Sequence, residues 1–454
     1  MPTTPIAATP PIQLYAELLV NIRQVSVSAS FAGPIEARQT TAEVLPDGVT
    51  LRVRRRGKDD GDQQTAVLTL PGRVAVTAAG APLPVPGPAL ASGYVAWRLP
   101  LQGPTTQNGQ TDDTELAPWS APDLSVGSSV RCRGCSAELV AAHRIEAWKD
   151  LPSDNWAEMM EFWHCHKPDV KETETAGGPG AAAKNGEDTG TGLASRGYGA
   201  NSTISVDAGV GFVDLTTLLV SEVDCQGVLF SESTVDKASS RLDDALSTVQ
   251  TAATNAAATT ANTVAAPRGL SVLCAACRAQ VGYFTLRQQA IHLFKWQVQV
   301  ATAGQQGQPT IADCVAATLV ATIQRTGSSK SLIVPIYELE GRVLGTEDTE
   351  NVLQVWVLNG SIVYSSGRSR NPSTATPSRA VKLLYKHIPR AEADAILESL
   401  NSDVQEINLP RETIGAVTEL LESSTQLLPA RDRDFKEWRI GVLDRWDPRR
   451  HSSG

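Results

Sequence analysis

Seven cysteines, at positions 132, 135, 165, 225, 274, 277 and 314, carry most of the legible chemistry of this 454-residue chain. Four of them form two Cys-x-x-Cys turns, Cys132-Arg133-Gly134-Cys135 and Cys274-Ala275-Ala276-Cys277. That spacing lets both thiolates of a turn face a single ion, and two such turns complete a tetrahedral four-sulfur zinc site. A site of this kind is closed to water, so the expected zinc, one per chain, is structural and not catalytic. All of Ser136 to Leu273 lies between the turns, far more than in a zinc ribbon, so the ion would staple parts of the chain remote in sequence. A redox dithiol at either turn and two unrelated buried pairs are the alternative readings. A thioredoxin-like dithiol belongs at a strand-to-helix junction in a βαβ pattern, which neither turn has. Gly282, shortly after Cys277, suits a knuckle inside a hairpin.

A second constellation surrounds Cys165. Leu151-Pro152-Ser153-Asp154-Asn155 opens a short helix, with Asn155 and Glu158 at capping-box spacing. Trp156, Met159, Met160 and Trp163 follow at i, i+3, i+4 and i+7, placing two of nine tryptophans and two of three methionines on one face. Such a stripe reads either as core or as a contact surface, since large apolar residues are usually buried while Trp and Met are enriched at interfaces. His164-Cys165-His166-Lys167-Pro168 comes next, and Pro168 disfavours helix at Lys167, so the triplet falls in the terminal turn or the loop beyond. An imidazolium beside a thiol lowers its pKa and favours thiolate, the form that attacks acyl groups or binds metal. The bland alternative is a buried cysteine between two surface histidines. Cys314, in the apolar run Asp313-Cys314-Val315-Ala316-Ala317, reads as an inert core thiol. Cys225 is in a more polar setting, with no histidine near it in sequence.

The elements that must position these residues read as α+β, mainly antiparallel β. Val49–Arg54 and Ala66–Leu70 alternate apolar and polar residues beside Pro-Asp-Gly and Pro-Gly turns. The five cations between Arg52 and Lys58 are expected on the solvated face of an edge strand. Ile311–Ile323, Ala391–Leu400 and Thr413–Leu421 have helical spacing, and Trp438–Leu443 reads as a strand closing a sheet. Asn359-Gly360, between Val352–Leu358 and Ser361–Tyr364, is the strongest hairpin signal in the chain. The segments 172–200 and 234–268 are flexible insertions, the first rich in Gly, Ala and Thr, the second almost all Ala, Thr, Asn and Ser between 239 and 266. The resulting division is a β-rich N-terminal region over 12–171, strands over 201–233, and a mixed α/β C-terminal region over 269–446 that starts with the second Cys-x-x-Cys turn.

Composition bounds the rest. Charged residues make up 20% and hydrophobic residues 41%, ordinary globular proportions. Forty Lys and Arg against 49 Asp and Glu give a net charge of −9, which disfavours general binding to nucleic acid or anionic membranes and points to a protein partner. No apolar run reaches the ~18 residues of a membrane span, and the N-terminus lacks the order of a signal peptide, so a soluble intracellular protein with reduced thiols is expected.

In order, Cys132-x-x-Cys135, Leu151-Pro152-Ser153-x-Asn155-Trp156, Trp163-His164-Cys165-His166 and Cys274-x-x-Cys277 with Gly282 resemble the HECT-like ubiquitin-protein ligase family, described as ubiquitin-conjugating-enzyme-binding proteins. The likeness extends to Gly211-Phe212-Val213-Asp214-Leu215 and Ala380-Val381-Lys382-Leu383-Leu384-Tyr385, and it is sharpest from Cys132 to His166. It implies a ligase that accepts ubiquitin from a conjugating enzyme, with Cys165 as the candidate catalytic thiol and His164 or His166 as its base. It also implies a link to the metallo-β-lactamase endonuclease that cleaves pre-messenger RNA before polyadenylation. In that role Cys165 would meet the nuclease zinc ions without catalysis of its own, with Trp156, Met160, Trp163, His164 and His166 completing the partner-binding surface. Cytoplasmic and nuclear residence follows from these partners. A HECT-type ligase carries its thioester cysteine near the C-terminus, whereas here no cysteine follows Cys314, and a RING-type ligase needs two zinc sites where this chain offers one.

Overall fold

The structure, a computed structural model, describes residues 12–35, 39–56, 63–75, 82–85, 92–102, 117–151, 206–230, 269–285, 288–302, 307–336, 351–368, 377–399 and 402–447. It is β-rich and mostly antiparallel, as the alternating patterns require. The first strands are β1 (Ile12–Leu19), β2 (Gln24–Phe31), β3 (Thr40–Val44), β4 (Thr50–Arg56), β5 (Gln63–Thr69) and β6 (Tyr94–Pro100). The middle of the chain gives β7 (Val130–Cys132), β8 (Glu138–Val140), β9 (Ala147–Asp150), β10 (Val210–Val213), β11 (Thr217–Ser221) and β12 (Val228–Phe230). β13 (Gly269–Cys274), β14 (Gln280–Thr285), β15 (Ala290–Phe294) and β16 (Val298–Gln299) follow. The last part holds α1 (Ile311–Thr326), β17 (Lys330–Pro335), β18 (Asn351–Ser366), β19 (Ser378–Pro389) and α2 (Arg390–Glu398). After these come β20 (Gln405–Leu409), α3 (Arg411–Thr425), β21 (Asp434–Phe435) and β22 (Trp438–Asp444).

Nine strands form the largest sheet, in the order β21-β22-β19-β18-β1-β2-β6, with β17 paired to both β18 and β20. Strands from the two ends of the chain therefore share one sheet. One face of its C-terminal part buries Leu353, Val355, Val381, Leu383 and Leu443 under α1 and α3. α1 starts where Thr310 caps the Asp313 amide and ends at Gly327 in the left-handed conformation. β1, β2 and β6 pack against the separate β3-β4-β5 sheet through Leu14, Val25, Val27, Val44, Leu51 and Val53.

Two expectations are corrected. Asn359-Gly360 makes no hairpin: it lies inside the 16-residue strand β18, which pairs with β19 along its length. β17 pairs with Leu353–Trp356 on one edge of β18 and β1 pairs with Tyr364–Ser366 on the same edge, so Asn359-Gly360 sits where the strand exchanges one neighbour for the other. The register against β19 shifts on both sides of Asn359, and neither residue has the positive φ of a two-residue hairpin turn. The second correction concerns the arginines after Leu51. β4 is the centre of its three-stranded sheet, paired on both edges, and Arg52, Arg54 and Arg56 lie on its outward face, whereas Arg55 shares the face of Leu51 and Val53 and donates to Ala32 O and Pro34 O; Lys58 lies outside the described residues. The helical spacings in the C-terminal third do correspond to α1, α2 and α3, and Trp438–Leu443 lies within β22.

Candidate metal centre

The two Cys-x-x-Cys turns close two hairpins, β7-β8 and β13-β14. They belong to different sheets: β7 lies between β16 and β8, whereas β13 lies in the seven-stranded sheet β12-β13-β14-β15-β11-β10-β9. The turns repeat one backbone pattern. In the first, the Ser136 amide donates to the Cys132 carbonyl at 2.8 Å and the Cys132 amide donates to Ala137 at 2.8 Å. In the second, the Arg278 amide donates to Cys274 and the Cys274 amide to Ala279, both at 2.9 Å. Ser136 and Arg278, each just past the second cysteine, take left-handed φ values of 60° and 63°. The chain can then reverse while both sulfurs of a turn remain on its inner side.

All four Sγ atoms lie within 4.8 Å of one another. Across the turns, Cys132 Sγ is 3.7 Å from Cys277 Sγ, and Cys135 Sγ is 3.6 Å from Cys274 Sγ. Zinc–sulfur bonds of ~2.3 Å in a tetrahedron place sulfurs ~3.8 Å apart, so the donor set fits such an ion. Cys132 and Cys274 are buried, while Cys135 and Cys277 are exposed. Burial pushes the Cys132 thiol up to about 12 despite the Cys135 and Gly134 amides directed at its sulfur. Burial also acts on Cys274, but there the amides of Cys277 and Ala276 and the neighbouring thiols outweigh it and bring the group down to about 7. Four thiols so close cannot all ionise by themselves; a divalent cation would supply the charge that holds four thiolates together.

Several contacts hold the hairpins in place. Cys132 pairs with Val298, which brings β16, the strand following β15, under the first turn. Arg133 adds its amide to Gln297 O and its guanidinium to Trp296 O at 3.2 Å and Pro309 O at 2.7 Å. Gly227, at φ 67°, accepts the Ala275 amide, and a Cβ there would lie 2.6 Å from Glu138 O, so only glycine lets the two hairpins approach. Gly282 has the same reason in β14, where a Cβ would collide with the His292 carbonyl of β15. The surrounding core includes Trp119, Val130, Leu139, Val272, Val281 and, from the far end of the chain, Trp446.

Some supporting residues carry no sequence signal. Lys295 is fully buried and donates to Pro118 O at 2.6 Å and Trp119 O at 2.9 Å, with burial bringing its ammonium down to about 8. His292 stacks on Tyr283 at 4.4 Å and bonds Thr285 Oγ1 at 3.1 Å, and burial lowers it to about 4. No spacing rule finds Arg133, Lys295 or His292, because their partners are backbone carbonyls, a ring and a hydroxyl reached only after folding.

The remaining sequence-derived candidates divide in two. Cys314 is fully buried on α1 beside Phe294 and Trp296, with burial pushing its thiol up to about 12. Cys225 is half-buried, and burial with the neighbouring carboxylates of Asp224 and Glu222 pushes it to about 12. Trp156, Met159, Met160, Trp163, His164, Cys165 and His166 lie outside the described residues, as do the segments 172–200 and 239–266.

Fold and site together define an antiparallel-β protein whose two cysteine hairpins meet at a closed cluster able to hold a metal ion. The chain belongs to the family described as HECT-like ubiquitin-conjugating enzyme (E2)-binding, which it matches over residues 17–440. It is similar to an uncharacterized protein of Saccharomyces cerevisiae, 37% identical over 60 residues that make up 13% of this chain and 17% of the yeast protein. An uncharacterized protein of Schizosaccharomyces pombe is 41% identical over 71 residues, 15% of this chain and 20% of that protein. The matched part is thus a fifth or less of either relative's length. No solved structure matches the chain.

Proposed function

We propose that this protein binds a ubiquitin-conjugating enzyme and promotes transfer of its ubiquitin to substrates, with Cys165 as the accepting thiol and one structural zinc on Cys132, Cys135, Cys274 and Cys277. The family assignment supports the conjugating enzyme as partner. The observation that carries the choice of thiol is elimination. Four of the other six cysteines are grouped as a ligand set, Cys314 is sealed in the core, and Cys225 is held protonated by burial and two carboxylates. A thiol pushed to about 12 is a poor nucleophile at neutral pH. That leaves Cys165, between two imidazoles able to take its proton.

The test is a discharge assay with ubiquitin-charged conjugating enzyme. A reducible ubiquitin adduct is expected on the protein, retained by Cys225→Ala and lost in Cys165→Ala with binding of the enzyme unchanged. Absence of any adduct removes the thioester step and leaves enzyme binding alone. The same elimination supports a second reading, in which Cys165 is placed on the zinc ions of the polyadenylation endonuclease. There Cys165→Ala weakens association with that nuclease while the protein's own zinc content stays the same.

A further inference from the structure

Among the described residues, hydrophobic packing on the face of the nine-stranded sheet turned away from α1 and α3 is grouped at its two ends. α2 packs on Leu332, Val334, Val352 and Ile388 at one end, and Leu427 and Leu428 pack on Ile362, Ala380 and Val442 at the other. Between these covers Trp356 of β18 and Trp438 of β22 are half-buried and meet edge to face at 6.2 Å. Phe435, 49% exposed, pairs with Trp438 across β21 and β22.

Three lysines stand over these rings: Lys330 Nζ at 5.6 Å from Trp356, Lys386 Nζ at 4.8 Å from Trp438 and Lys436 Nζ at 5.7 Å from Phe435. Lys330 is paired with Asp403 at 3.3 Å, whereas among the described residues no carboxylate lies in ion-pair contact with Lys386 or Lys436. One carboxylate already rests nearby. Glu437 accepts the Trp438 Nε1–H at 3.1 Å, and its own backbone amide, then Lys386, Trp438 and Lys436, hold its carboxyl below the usual range although it is fully exposed. On the same face Gln354, opposite Lys386 in the register, is 7% exposed and its Oε1 has no hydrogen-bond partner.

We propose that this face docks an acidic segment of a protein partner that carries an aliphatic or aromatic anchor, the anchor seating among Trp356, Trp438 and Phe435 and the carboxylates on Lys386 and Lys436. None of these residues is among those assigned above to ubiquitin transfer. Aromatic anchors beside desolvated charge pairs are the usual composition of an interface centre. Single-stranded nucleic acid fits less well, because lysine ammonium groups already lie over the rings on which bases would stack and the net charge of −9 repels phosphate.

The probe is a dye-labelled synthetic peptide alternating Glu with Leu and Phe, titrated with the full chain and followed by anisotropy and by quenching of tryptophan emission. Saturable binding is expected, weakened by salt, reduced roughly tenfold or more by the combined Lys386→Glu and Lys436→Glu changes, and unaffected by Cys165→Ala. Lys386 is half-exposed and Lys436 exposed, so the charge reversals keep the melting temperature and remain informative if Trp438→Ala fails to fold. Any of three results overturns the proposal: no saturable binding, binding indifferent to the charge reversals, or tighter binding of an oligothymidine than of the peptide. Self-association of the chain that is lost with the charge reversals would assign the face to a second copy and equally overturn it.

Discussion

Both major sheets join segments that are far apart in sequence, but they do so with different chemistry. In the seven-stranded sheet and its neighbouring hairpin, the join is a cluster of four sulfurs whose like-charged thiolates need a cation. In the nine-stranded sheet, β1 pairs with β18 through only three residues, Tyr15 to Glu17. Side chains reinforce it: Gln13 Nε2 donates to Gln426 O at 3.0 Å and Leu428 O at 2.8 Å, and Glu17 takes Lys382 Nζ at 2.7 Å and the Tyr15 hydroxyl at 3.1 Å. On the proposed zinc reading one join depends on metal and on proton concentration, while the other rests on hydrogen bonds and a mostly buried ion pair that a chelator does not reach. An electrostatic closure near the surface can be switched off from solution, whereas one inside a sheet must be mutated.

The largest expected effect breaks the first join alone. Cys132→Ser or Cys277→Ser should remove the single zinc, measured as metal per chain, and lower stability by about 4 kcal/mol or more. Chelation of the unaltered protein should do the same reversibly. Hydrogen exchange should rise around β7, β8, β13 and β14 and stay slow in β18 and β19; equal loosening of both sheets would contradict the contrast. Next in size is the second join. Lys382→Met leaves Glu17 buried with only the Tyr15 hydroxyl, which should cost ~3–5 kcal/mol in denaturant melts while zinc content stays unchanged. Glu17→Leu added to Lys382→Met should recover much of that loss.

Acid sharpens the comparison further. His292 in β15 is held to about 4 against an ordinary value near 6.5, so the folded chain binds fewer protons than the unfolded one between those values. Its contribution is intact above about 6.5 and is lost as pH falls towards about 4, up to roughly 3 kcal/mol. His292→Gln should flatten the acid side of the stability curve of the seven-stranded sheet by about that amount relative to the parent protein. An unchanged slope would mean that the imidazole is protonated in place.

How much of this was legible in the sequence follows from range. The four-cysteine cluster was readable because two short spacings carry it, and the two turns do lie close enough to hold a metal ion. Helices α1, α2 and α3 were readable because their apolar periods are local. What closes around them was not: Arg133, Lys295 and His292 have partners up to 177 positions away, as in the Lys295 bond to Pro118. The central place of β4 was equally hidden, because alternation gives the inward face of a strand but not the number of its neighbours. The Asn-Gly signal failed for a related reason, since local turn preference is worth less than a ladder to β19 with β17 and β1 sharing the other edge.

The smallest prediction tests that last point. In a two-residue hairpin turn Gly360 would need a positive φ, and Gly360→Ala would strain the backbone by about 1 kcal/mol or more. In the continuous strand its φ lies outside that region, and an added Cβ would meet only Val320 Cγ2 at 3.4 Å, ordinary contact with α1. The substitution then removes backbone freedom from the unfolded chain at no native cost, so stability should stay level or rise by up to about 1 kcal/mol. A clear fall in the denaturant midpoint would return Asn359-Gly360 to a turn and split β18 where β17 gives way to β1.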